Sequence, residues 1–242
     1  MRQAITPRKI TFISAYYENP TMLKMQLENF KSYSRIIKDN LELIFVDDCS
    51  PLLAKIDIVT GCYTRLFRSL VDIRWNQDFC RNLAVSQAVT PWLLLTDIDH
   101  LIPESVMRHL MLSRQINEEV SYRFGRVTAP ENTHHKPHPN TWFMTKEIYK
   151  ATGGYDERFA GYYGTDGDFR SRVKRESNIE LLEDQRIIRV PREYVADAST
   201  VSYGRKEPMD KTITDISKVR KTLGDWVPLT LLTPWKEEEI NE

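Results

Sequence analysis

Two carboxylates, Asp97 and Asp99, stand two residues apart in Thr96-Asp97-Ile98-Asp99-His100. In an extended chain residues i and i+2 point to the same side, so the pair converges on one small volume. Like charges held that close repel and raise each other's pKa unless a cation sits beside them. An all-oxygen site of this kind suits a hard divalent ion, Mg²⁺ or Mn²⁺, which commonly bridges one or two carboxylates to a substrate diphosphate. An isolated D-x-D is equally at home as two solvated acids at a strand end, so the elements around it have to decide.

The apolar run Trp92-Leu93-Leu94-Leu95 before the pair reads as a short strand buried on both faces, as at the centre of a parallel sheet. Ile10 to Tyr17 is β-rich, and Asn19 as N-cap with Pro20 at the first helical position starts a helix with Leu23, Leu27 and Phe30 on one face. Leu41 to Val46 is a second strand and Leu70 to Trp75 a third. Asp78 caps a helix on which Phe79 and Leu83 share a face. Strand–helix alternation at this spacing predicts a doubly wound α/β unit with a mostly parallel twisted sheet. Its polar residues gather at the C-terminal strand ends: Ser14 and Tyr16, then Asp47 and Asp48, then Asp97 and Asp99. That edge is where open parallel sheets bind ligands. Neither G-x-G-x-x-G nor G-x-x-x-x-G-K-[ST] occurs, so a phosphate would be held by metal and cationic side chains.

Further along, a helix is expected from about Glu104 to Arg114 and a strand from Ser121 to Thr128. Ala129 to Asn140, with His134, His135 and His138, reads as a mobile, solvated or substrate-facing loop, since the spacing fits no helical metal pair. Five of the nine glycines lie between Gly153 and Gly167, interleaved with aromatic rings suited to stacking on a sugar face. Thr165 to Asp168 forms a plausible capping box for the next helix. Ile187 to Pro191 reads as a strand, Asp215 to Leu223 as a basic-faced helix, Trp226 to Trp235 as a packed tail, and Lys236-Glu237-Glu238-Glu239 as a solvated end.

Taken in order, these segments resemble a family 2 glycosyltransferase with the GT-A fold. Ile44-Phe45-Val46-Asp47-Asp48-Cys49-Ser50 resembles the family's hydrophobic-D-D-x-S segment. Asp78-Phe79-Cys80-Arg81-Asn82-Leu83-Ala84 resembles its A-R-N stretch, and Thr96-Asp97-Ile98-Asp99 its D-x-D. Gly153-Gly154-Tyr155-Asp156-Glu157 with Gly164-Thr165-Asp166 is similar to the C-terminal motif of galactosyltransferase-type members. The resemblance implies that Asp47 or Asp48 accepts a hydrogen bond from the base, usually uracil, and that Arg81 lines the nucleotide pocket. It implies Asp97 at the ribose or donor sugar, Asp99 on Mn²⁺ or Mg²⁺ with the diphosphate, and Asp166 as general base in an inverting displacement. Ser14 and Tyr16 join the donor site, and Trp142 and Tyr162 are acceptor or sugar platforms. Two departures stand out. Thr165 replaces a common Glu, and no histidine follows His138, so the further metal ligand would be Asp197, His100 or water.

Composition narrows the class. At 242 residues, with 41% hydrophobic and 28% charged, the chain suits one globular domain. Its nucleotide-binding part is expected at about 9–100, its acceptor part at about 101–205 and a tail at about 206–242. Lys+Arg and Asp+Glu both count 34, so no global charge drives binding to nucleic acid or anionic membrane. Three cysteines without C-x-x-C spacing argue for reduced thiols, and no run of apolar residues is long enough to span a bilayer. The N-terminus does not read as a signal peptide, so a soluble cytoplasmic protein is expected. The partners expected are a nucleotide-sugar donor, such as a UDP-sugar, and a saccharide or other hydroxyl acceptor. A hydroxymethylated DNA base stays open as acceptor. Against this transferase (a hexosyltransferase) stand a non-catalytic nucleotide-sugar or glycan-binding relative and a nucleotidyltransferase, the latter lacking its Gly-rich loop.

Overall fold

Four parallel strands, the inner three burying both faces, set the centre of the molecule. In the computed structural model, which describes residues 6–162, 165–199, 215, 218 and 229–240, these are β1 (Ile10–Tyr16), β2 (Leu41–Asp47), β3 (Tyr63–Ser69) and β4 (Trp92–Leu95). They run parallel in the order β3-β2-β1-β4. Alternation sends Phe12, Phe45 and Leu94 into one core and Ile13, Ile44, Leu93 and Leu95 into another. Helices α1 (Pro20–Lys31) and α4 (Glu104–Leu112) cover the first face through Leu23, Leu27, Met107 and Leu110. Between them in sequence come the short helix α2 (Arg35–Lys38) and α3 (Gln77–Gln87). Helix α3, with α5 (Lys146–Ala151) and α6 (Asp166–Glu176), covers the second face through Phe79, Leu83, Tyr149 and Phe169.

Beyond β4 the sheet becomes mixed, although parallel ladders still make up most of its paired length. The added strands are β5 (His100–Leu101), β6 (Val120–Thr128), β7 (Thr133–His135), β8 (Trp142–Thr145) and β9 (Asn178–Arg189). The order continues β4-β8-β6-β9-β5, with β7 on the edge of β6. At the opposite edge β10 (Trp235–Glu238) pairs antiparallel with β3.

Several expectations are corrected here. The third strand is Tyr63–Ser69, not Leu70 to Trp75; its two arginines hide it, because Arg65 reaches Glu42 and Glu237 while Arg68 reaches Asp47. Lys236-Glu237-Glu238 is no loose end: it forms β10, with Trp235 edge-on to Phe67 at 5.6 Å and Glu237 held by the Arg65 guanidinium at 2.8 Å. The segment from 129 to 140 contains β7 and tucks His138 inside. Neither expected cap forms from its own side chain. Asn19 and Thr165 occupy the N-cap positions of α1 and α6 without a side-chain cap bond, and Asn76, not Asp78, precedes α3. The Asp215 to Leu223 helix lies outside the described residues apart from Asp215 and Lys218, which pair at 3.8 Å. The tail from 229 to 235 does pack on the domain, Leu229 and Leu231 against the second core and Thr233 accepting from the Asn76 side chain at 3.1 Å.

A polar hub joins α3 to α6. Arg172 is chelated by Asp168 at 2.7 and 3.0 Å and donates to the carbonyls of Thr152 and Gly154, so Asp168 is a structural partner one helical turn away. Asp78 sits beside it. Burial lifts its carboxyl to about 7, against the opposing pull of Arg81, Arg172 and the Thr165 hydroxyl.

Two tests follow from this packing. Between about pH 4 and 7 the folded chain holds a proton on Asp78 that the unfolded chain has released, so ionising this site lowers stability as pH rises. Asp78→Asn should therefore gain on the wild type by up to about 1.4 kcal/mol per pH unit across that window and no further above it, measured by urea unfolding at each pH. At the β6–β9 ladder the register shifts between Phe124 and Gly125. A Cβ on Gly125 would run into the Glu183 carbonyl oxygen, with Arg186 Cγ at 3.1 Å. Gly125→Ala should cost about 1–3 kcal/mol in the same assay, because backbone has to shift.

Candidate active site

The parallel register decides which carboxylates meet. Tyr16 pairs with Asp47 at the ends of β1 and β2, while Leu95, the last residue of β4, pairs with Ile13. The chain after β4 therefore continues beside the end of β1, with the Thr96 amide donating to Ile13 at 3.1 Å. A cavity opens there, lined by Ala15 and Tyr16 from β1, Tyr17 just after it, Asp48 after β2, Trp75 just before α3 and Gln77 at its start, and Asp97 to Asp99. Ala198 and Ser199 close its other side.

Of the two acids after β2, Asp48 belongs to the cavity and Asp47 to the scaffold. Asp47 accepts from the Ser50 and Ala54 amides at 2.7 and 2.9 Å and from Arg68 at 2.7 Å, which fixes the turn after the strand. Asp48 accepts from the Asn76 amide at 3.0 Å through Oδ2, while its buried Oδ1 has no partner. Burial holds the Asp48 carboxyl well above the usual range, with Asp72 and Asp47 adding and the Asn76 amide opposing. The Cys80 side chain opposes the rise as well, and the carboxyl lines the cavity, where it can meet a polar ligand edge. Ser14 is buried within β1, next to rather than on the lining, and the Tyr16 hydroxyl donates to the Leu52 carbonyl at 2.8 Å.

Asp97 and Asp99 both line the cavity but have different neighbours. The Asp97 Oδ1 takes a bond from Arg81 at 2.6 Å; its Oδ2 faces His138 Nε2 at 3.4 Å and the Asn140 amide at 3.5 Å. Burial alone would raise this carboxyl; His138, Arg81 and His100 outweigh it and bring it to about 2. His138 is itself pushed down to about 3 by burial, so at neutral pH the permanent charge on Asp97 is that of Arg81. Asp99 Oδ1 meets His100 Nδ1 at 2.6 Å, and the His100 and His138 rings lie 4.1 Å apart.

Asp166 begins α6, within electrostatic reach of the Tyr155 hydroxyl and of Arg123. Asp97 and Arg81 act on that same hydroxyl, which is buried without a hydrogen-bond partner. Asp166 itself is not among the residues that line the cavity. Gly161, at φ 85°, donates to the carbonyl of cavity residue Trp75 at 3.4 Å, and the half-exposed Tyr162 follows.

Two site expectations do not hold. Trp142 is fully buried in β8, edge-on to Phe169 at 6.0 Å with Arg123 over its other side, so it is a core residue rather than a sugar platform. Asp197 is committed elsewhere: its carboxylate accepts from the Thr21 and Met22 amides at 2.6 and 3.3 Å, capping α1 from across the chain. Sequence reading missed His138 as a neighbour of Asp97, and the β4–β8 pairing is the feature that delivers it. Thr141, just before β8, bonds Thr96 at 2.8 Å and His138 at 3.0 Å.

Among the described residues no group of three or more His, Cys, Asp or Glu is placed to hold a metal ion, and no helix is long and apolar enough to cross a membrane. Mg²⁺ and Mn²⁺ are commonly held by one or two carboxylates with substrate phosphates and water. Two hard oxygen donors on one cavity wall fit that pattern, with Asp99 the less encumbered because Asp97 is held by Arg81.

No protein-family model and no curated protein sequence matches the chain. Solved structures do. S. aureus TarS 1–349 in complex with UDP-GlcNAc superposes with a TM-score of 0.63 at 16% identity, over 79% of this chain and 62% of that one. The TarS 1–349 structure without that ligand gives 0.63 at 15%, over 78% and 63%. The mannosyltransferase PcManGT from Pyrobaculum calidifontis, in complex with GDP-Man and Mn²⁺, gives 0.57 at 16%, over 81% and 63%. The chain thus spans less than two thirds of these proteins. At such identities the likeness is one of fold, and the fold is the mixed α/β architecture of GT-A type that the sequence predicts.

Proposed function

We propose that the protein is a nucleotide-sugar-dependent glycosyltransferase that moves a sugar to an acceptor hydroxyl with inversion. The observation that carries this reading is the meeting of Asp48, Asp97 and Asp99 on one cavity at the C-terminal edge of the parallel strands. Fold neighbours crystallised with UDP-GlcNAc and with GDP-Man support it. In this reading the Asp48 carboxyl meets the edge of the base; ionised it accepts an N–H, protonated it donates to a ring carbonyl. Tyr17 and Trp75, which line the same cavity, flank that base. Asp97, kept ionised by Arg81, accepts from the sugar hydroxyls of the donor. A divalent cation held by Asp99, with Asp97 behind it, would offset the charge that develops on the departing nucleoside diphosphate. Asp166 takes the proton from the acceptor hydroxyl as its oxygen attacks the anomeric carbon from the face opposite the leaving group. A general base of this sort contributes about 10²–10⁴-fold. Tyr162, beyond Gly161, carries a sugar ring in this reading.

Incubation with a panel of nucleotide sugars and Mn²⁺ should give slow release of nucleoside diphosphate, lost on chelation and in Asp99→Ala. Asp166→Asn should keep nucleotide-sugar affinity within about threefold while transfer drops by about 10²-fold or more. Retained transfer would remove Asp166 from its role. Asp48→Ala should weaken nucleotide binding by about tenfold, the cost of one hydrogen bond to a desolvated partner, read by calorimetry.

A further inference from the structure

A second cluster of charge adjoins the acid pair and takes no part in the chemistry above. Strands β7, β6, β9 and β5 lie side by side, and their register sets His135 opposite Arg126, Arg189 opposite Thr128, and His100 opposite Arg189. Paired residues share a face, as do residues two apart, so Arg126, Thr128, His135, Arg189 and His100 form one surface. The 2.7 Å contact between Thr128 Oγ1 and His135 Nε2 lies on it. Arg126 and Arg189 are diagonal neighbours there, both half-buried. Burial weakens the Arg126 guanidinium's hold on its proton, Arg189 weakens it further, and Asp99 and Asp97 oppose. Among the described residues neither arginine has a carboxylate within ion-pair distance, and the buried Nε of Arg126 has no hydrogen-bond partner. Arg65, Arg68, Arg81 and Arg172, by contrast, each hold a carboxylate.

Two half-buried cations side by side with no carboxylate in ion-pair contact with either repel one another, and an oxyanion between them lowers the cost. Planar guanidinium forks match phosphate oxygens in pairs. We propose that Arg126 and Arg189 bind a phosphate group on the acceptor, close to the hydroxyl that receives the sugar. The assignment rests on the glycosyl-transfer reading. It places the anion on the acceptor rather than the donor because the cavity holding Asp48, Asp97 and Asp99 is lined by neither arginine. A chain of zero net charge suits a single phosphate rather than the backbone of a polyanion.

The test uses the full chain, inorganic phosphate as probe, and low ionic strength, with and without a saturating nucleoside diphosphate. Phosphate should bind in both conditions, and its Kd should rise by about tenfold or more in Arg126→Gln and in Arg189→Gln. Nucleotide affinity should be unchanged in both variants. Both should unfold at or above the wild-type temperature, since each relieves repulsion, and this separates a binding loss from a folding loss. Phosphate affinity that ignores both substitutions overturns the proposal. So does displacement of phosphate by the nucleoside diphosphate with loss of nucleotide affinity in the variants, which would give the pair to the donor. Displacement by a short oligonucleotide with steep salt dependence would likewise overturn it in favour of a nucleic-acid acceptor. Arginine-dependent phosphate binding in a protein that neither binds nor cleaves any nucleotide sugar would remove the transfer reading and the acceptor assignment with it. Arginine-independent binding in a protein that does release nucleoside diphosphate would remove the acceptor assignment alone.

Discussion

One buried guanidinium makes the acid-rich edge of this sheet possible. Asp48, Asp78, Asp97 and Asp99 crowd the C-terminal ends of β2 and β4 and the start of α3, where mutual repulsion and lost hydration oppose them. Arg81, 4% exposed, answers with contacts to Asp97 at 2.6 Å, Gln77 at 2.7 Å and Asp78 at 3.6 Å, and with its plane 4.9 Å from the Tyr155 ring centre. A buried ion pair gains on its desolvation penalty when further polar contacts support it, and Gln77 and Asp78 supply them here. Geometry follows from charge. Arg81 lies one turn into α3 and Asp97 just past β4, so the pair locks that helix against that strand and sets the angle from which Asp97 views the cavity.

Asn82, the next residue, performs the neutral counterpart. Its side chain accepts from the Tyr149 hydroxyl at 2.8 Å and the Tyr155 amide at 2.9 Å and donates to the Tyr155 carbonyl at 2.8 Å. Gly154, at φ 70°, lets the chain pass so close that a Cβ there would sit 2.6 Å from the Asn82 oxygen. The Arg81-Asn82 and Gly153-Gly154-Tyr155 segments, 73 residues apart, are therefore one interaction: the first half of the sheet orients the turn that leads to Asp166.

The sequence makes the central strands readable because burial on both faces leaves a continuous apolar signature in β4 and in Leu43 to Val46 of β2. Carboxylates at their ends then fall to one edge by topology alone, which is why the D-x-D and the Asp47-Asp48 pair are assigned to that edge from sequence, with the choice between Asp47 and Asp48 left open. What eluded the reading depends on partners far along the chain. The β3 strand carries arginines that become intelligible only once Glu42, Asp47 and Glu237 are beside it. Asp197 looks like a free acid in sequence and is a helix cap supplied from 176 residues away. Trp142 is an aromatic residue whose type fits a ligand platform as well as a core, and only the pairing of β8 with β4 and β6 tells which. Asp47 and Asp48 are identical in type, and the ladder with β1 separates scaffold from cavity.

The last strand has a bearing on how the molecule comes into being. β10 is made long after the β3 edge it covers, and it arrives antiparallel to that edge, with Trp235 against Phe67. Until then a growing polypeptide presents an open row of amides and carbonyls beside an aromatic ring, the surface on which unrelated chains pair and clump. Closing that row is a long-range, slow step for a nascent sheet. The glutamates and lysine of β10 thus act as a late-arriving lock whose charges keep the finished border from recruiting further strands.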